Sequence, residues 1–73
     1  MMKKFSNASN KINVILSVFK DGEKLTGRDI SERIREKGYD VDEGNLKMFI
    51  YYHMQYQYLM KEKVNGVNKY YAV

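Results

Sequence analysis

Asn45, Lys47, Tyr51, Tyr52 and Gln55 bring two carboxamides, one ammonium and two phenols into a single short stretch. Carboxamides form paired hydrogen bonds with the edge of a heterocyclic base, adenine above all. Phenols donate to phosphate oxygens, and an ammonium neutralises one phosphate. The spacing gives these groups a common direction. Leu46, Phe49, Ile50 and Met54 recur at i, i+3 and i+4, with His53 and Gln57 on the same side, which predicts an amphipathic helix over about 42–57. At about 100° per residue, the opposite side presents Met48, Tyr51, Tyr52 and Gln55, flanked by Asn45 and Lys47. Asp42 is placed to cap the first free amides, and Glu43 adds a negative charge at the positive helix end.

Other chemistry is poorly provided for. The chain has 73 residues, no Cys and one His. Disulfides and thiolate metal sites are excluded, and one imidazole cannot build a zinc centre. An enzyme is not expected, nor a cofactor, a metal or a small-molecule substrate. The formal charge is +4, which suits a polyanionic partner. Its distribution is uneven: residues 1–20 carry four lysines and no acid, residues 21–43 have a net charge of −3, and residues 44–73 a net charge of +3. No segment approaches the roughly 20 apolar residues that span a bilayer, so no membrane association is expected. The apolar run after Lys3-Lys4 is broken by Asn13 and leads to Lys20-Asp21-Gly22, unlike a cleavable leader. A cytoplasmic location is expected.

These groups need elements to hold them. Residues 1–9 read as a flexible basic arm, with Phe5 able to fold back on the first helix. Ile12, Ile15, Leu16 and Phe19 form the apolar face of that helix, which Asp21-Gly22 ends. Glu23-Lys24-Leu25 is a short extended link. Thr26 caps a second helix with Asp29 closing a capping box, Ile30 and Ile34 point inward, and Lys37-Gly38 stops it. Val41 plugs the approach to the third helix. Beyond it the period changes to that of strands, and Asn65-Gly66 is the strongest short hairpin signal a sequence offers. A two-residue turn there predicts Val64 opposite Val67, Lys63 opposite Asn68, Glu62 opposite Lys69, Lys61 opposite Tyr70 and Met60 opposite Tyr71, with Glu62 and Lys69 meeting as opposite charges.

Helix, short strand, helix, helix and two-stranded hairpin is an order that resembles the winged helix-turn-helix DNA-binding superfamily. Glu23-Lys-Leu-Thr-Gly-Arg-Asp-Ile-Ser-Glu-Arg-Ile34 resembles its strand and second helix, Val41-Asp-Glu-Gly-Asn-Leu46 the approach to its third helix, and Lys61 to Tyr71 its wing. Tyr58 stands where members commonly have glycine. The resemblance covers residues 10–73 and implies an α+β, mostly α fold: three helices plus a C-terminal β-hairpin wing. It implies sequence-specific double-stranded DNA binding by a transcriptional regulator, helix 3 in the major groove and the 59–73 hairpin on the backbone. The residues expected to meet DNA are Asn45, Lys47, Tyr51, Tyr52 and Gln55 on the helix, Lys61, Lys63, Asn65, Asn68 and Lys69 on the wing, and Arg28 in the second helix.

Two further readings follow from the residues. Met48, Tyr51, Tyr52 and Tyr56 have the composition of a protein interface, so the alternative is a winged helix that docks onto a transcription, replication or assembly factor. A reader this small makes few contacts, and a homodimer on a twofold-related site is the expected remedy.

Overall fold

A computed structural model describes residues 3–73. The chain runs α1 (Ala8–Ser17), β1 (Lys24–Leu25), α2 (Gly27–Glu36), α3 (Glu43–Phe49), a π-helical turn (Ile50–Met54), β2 (Leu59–Val64) and β3 (Val67–Ala72). Three helices thus pack with one antiparallel sheet of order β1-β3-β2. No helix among the described residues is long and apolar enough to cross a membrane.

Local chemistry explains most of the boundaries. The Asn7 side chain caps α1 by accepting from the Asn10 N–H at 2.8 Å. The helix ends at Ser17, short of Phe19. Of the expected face only Ile15 is fully buried, and Val18 joins it in the core while Ile12, Leu16 and Phe19 are half-buried. In α2 the capping box is reciprocal: the Asp29 N–H donates to Thr26 Oγ1 at 3.1 Å, and the Thr26 N–H donates to Asp29 Oδ2 at 3.2 Å. Gly38, at φ 95°, follows its last turn.

The core takes Ile15 and Val18 from the α1 segment, Leu25 from β1, Ile30 and Ile34 from α2, and Val41 from the link. Leu46, Ile50 and Met54 come from the third helix, and Leu59 and Tyr70 from the hairpin. Ser31, the buried polar residue among them, donates to Gly27 O at 2.9 Å. Glu23 and Arg33 brace the outside: two guanidinium nitrogens meet the two carboxylate oxygens, one pair at 2.7 Å, and Arg33 also donates to Val18 O. This pairing, together with a hydrogen bond from the Lys20 N–H, holds the Glu23 carboxyl down to about 2.

The hairpin has the expected register at every position from Val64–Val67 to Met60–Tyr71. Asn65 and Gly66 take φ of 51° and 81°, the two left-handed residues of a type I′ turn. One expected contact is replaced. Glu62 shares a face with Lys69 but forms its ion pair at 2.9 Å with Lys24, reaching over β3 to the outer strand β1.

One expectation is corrected. The third helix does not continue to residue 57. It widens into the π turn, where the Gln55 N–H donates to Ile50 O at 2.7 Å, and Gln55 is already extended, with ψ 133°. Tyr56 then turns at φ 73°, and its N–H donates to Leu59 O at 2.8 Å. Met54 and Leu59 are both fully buried. A helix carried on to residue 57 would take Leu59 past the core. As a result His53 and Gln57 are exposed rather than packed inside, and His53 lies against the Phe49 ring at 4.5 Å.

Of the basic arm expected over residues 1–9, Met1 and Met2 lie outside the described residues, and the rest makes contacts with the link after α2. The Lys3 N–H donates to Gly38 O at 2.7 Å, the Asp40 N–H donates to Lys3 O at 3.2 Å, and Phe5 stacks on Tyr39 with centroids 4.7 Å apart. Lys11 lies over both Phe5 and Phe49. Helix α1 itself begins at Ala8, ahead of residue 10.

Candidate nucleic-acid interface

Helix α3 is fixed by Leu46, Ile50 and Met54 on its inner side, so its outer side chains have little freedom to turn inward. Met48, Tyr51 and Tyr52 are 58%, 61% and 72% exposed. Tyr51 and Tyr52 meet edge to face at 5.1 Å, an arrangement aromatic rings favour. Asn45 and Lys47 are exposed beside them.

The hairpin stands opposite. Side chains alternate across a strand, so the face that buries Leu59 and Tyr70 also carries Lys61, Lys63 and Asn68 further towards the turn. Lys69 is on the other face with Glu62 and Lys24. Between α3, the first turn of α2 and the hairpin lies a groove of about 670 Å³. Of the residues singled out from sequence, Arg28, Lys47, Tyr51, Tyr52, Gln55, Lys61 and Asn68 line it. Asn45, Lys63, Asn65 and Lys69 do not. Gln55 reaches the groove from the extended segment after the π turn rather than from a helix.

Charge pairing sorts the cations. Lys47 is tied to Glu43 at 3.1 Å and its stem lies across Gly27, where an added Cβ would come 2.6 Å from Lys47 Cε. Arg28 pairs with Glu32 at 3.2 Å, and Arg35 donates to Val41 O. Lys61, Lys63 and Lys69 form no ion pair among the described residues. The groove therefore has one wall of Met48 on α3 and Tyr51 and Tyr52 on the π turn, with Gln55 beyond them, and a hairpin wall that carries the unpaired Lys61. Such a surface can lay flat rings and amides against base edges while ammonium groups meet phosphates.

Thr26, Gly27, Val67 and Tyr70 also line the groove and were not anticipated. The first two carry a helix-cap signal and the last two a strand signal. Their meeting depends on how α2 packs on the hairpin, which no local pattern encodes. A scan against protein-family models, a search of curated proteins and a search of solved structures each returned no match to this chain.

Proposed function

We propose that the chain is a sequence-specific double-stranded DNA-binding protein of the winged helix-turn-helix type, acting in transcriptional control. In this reading α3 enters the major groove and the β2–β3 hairpin is the wing that holds flanking phosphates. The observation that carries it is the groove bounded by the outward side of the α3 segment and by a hairpin whose Lys61 lines it and forms no ion pair among the described residues. Base edges and phosphates are then addressed by adjoining walls of one surface. Specific DNA interfaces bury about 1,000 Å² of protein or more, about a fifth of this molecule's 5026 Å². Two copies on a twofold-related site divide that demand, and a homodimer is part of the proposal.

The exposed Met48–Tyr51–Tyr52 cluster supports a second reading, a winged helix that docks onto a protein factor, because interface energy concentrates in such aromatic anchors. One experiment separates the two. Binding to random duplex fragments is titrated with salt, and bound fragments are then selected through several rounds. Enrichment of one sequence motif supports the DNA reading. Weak binding that is lost by physiological salt, with no motif enriched, overturns it and leaves the docking surface.

A further inference from the structure

The arginines of this chain are Arg28, Arg33 and Arg35, all on α2. Each guanidinium is engaged: Arg28 with Glu32, Arg33 with Glu23 and Val18 O, and Arg35 with Val41 O. The cation of α3, Lys47, is held between Glu43 and the first turn of α2. Guanine is normally read through O6 and N7 by Arg or Lys, and the one cation on α3 is already paired with Glu43. What the outward side of this segment does offer is the Asn45 carboxamide and the Met48 thioether, three residues apart on α3, followed by the exposed Tyr52 ring on the π turn.

We infer that the sequence read by α3 is rich in A·T pairs, recognised through adenine edges and thymine methyl groups. The inference rests on the DNA-binding reading above. A carboxamide matches adenine N6 and N7 as acceptor and donor together, and an apolar side chain gains from contact with the thymine C5-methyl. Guanine instead presents two acceptors, which leave the amide oxygen facing an acceptor and unpaired. Met48 is the strongest candidate for the methyl contact, because it is unbranched, polarisable and 58% exposed beside Asn45.

Uracil-for-thymine substitution tests this directly, since it removes the methyl and leaves every hydrogen-bonding group of the pair in place. The best site from random-duplex selection is prepared with thymine or uracil at each central position. The wild-type chain is expected to enrich A·T-centred sites and to lose about fourfold in affinity per contacted methyl, the worth of one buried methylene. Met48→Ala is expected to bind thymine and uracil duplexes alike, and Asn45→Ala to relax the choice of adenine at one position. Both residues are exposed, and neither change touches the core. A G·C-centred motif, or equal affinity for thymine and uracil duplexes in the wild type, overturns the inference while DNA binding stands. Absence of any enriched motif overturns the DNA reading with it.

Discussion

Lys61, Lys63 and Lys69 look equivalent in the sequence, three lysines spread over one hairpin. Strand alternation separates them, with Lys61 and Lys63 on the face that turns towards the groove and Lys69 on the opposite face. Lys61→Ala and Lys63→Ala are each expected to weaken binding on all DNA sequences alike. Each should reduce the magnitude of the log–log salt slope by about 0.9, one phosphate contact. Lys69→Ala should leave that slope unchanged. An equal effect of all three changes would mean that the duplex wraps both faces of the hairpin. A second residue-scale feature is Tyr56, 73% exposed at φ 73°. A left-handed backbone costs a non-glycine residue roughly 1–2 kcal/mol, and glycine returns part of this through the freedom of the unfolded chain. Tyr56→Gly is expected to raise stability by up to about 1 kcal/mol in urea unfolding. A loss would show that the Tyr56 ring makes a contact worth more than the strain.

At the scale of elements, what could be read ahead and what could not divide along a physical line. The hairpin register and both left-handed turn residues were legible because Asn65-Gly66 specifies its own geometry within a few residues. The capping box of α2 was legible for the same reason. The end of α3 was not: the pattern from Leu46 to Gln57 continues a helical period, but burial of both Met54 and Leu59 overrides it. The Glu23–Arg33 clasp was equally invisible, since it joins the loop ahead of β1 to α2. That clasp gives the fold a definite acid response. With the folded carboxyl at about 2 against an ordinary 4.5, its stabilisation is complete above pH 4.5 and is lost as pH falls from there through 2. Glu23→Gln is expected to lower the melting temperature at pH 7 and to converge with wild type near pH 2. Parallel melting curves across that range would remove Glu23 as the source of the acid response.

For the molecule as a whole, a core built from about a dozen side chains is modest support for 73 residues. Exposed rings on and after α3 leave apolar surface that association can cover. Sedimentation at micromolar concentration is expected to show one species of twice the chain mass, and a monomer that binds a non-palindromic site as a single copy would remove the dimer from the proposal. Legibility at this scale was mixed as well. The order of helices and strands announced an α+β arrangement, and the charge bias drew attention to both ends of the chain. The docking of Lys3 and Phe5 on Gly38 to Asp40 depends on a surface that exists only after α2 and α3 are in place.

Strand β3 lies between β1 and β2, and it supplies Val67 and Asn68 to the groove while Tyr70 fills the core and pairs with Leu25. The amides that join β1 to β3 can therefore open to solvent only when the core itself opens. Hydrogen exchange at Leu25 and Tyr70 should accordingly report global stability, and any partner that occupies the groove should slow it by the full linkage factor. The amides of Lys3 and Asp40, held by a short peripheral pairing, should exchange through local fraying and respond far less. The edge strand β1, which leads directly into the groove-lining Thr26 and Gly27, thus serves as an internal gauge of occupancy, and exchange at Lys3 and Asp40 supplies its zero.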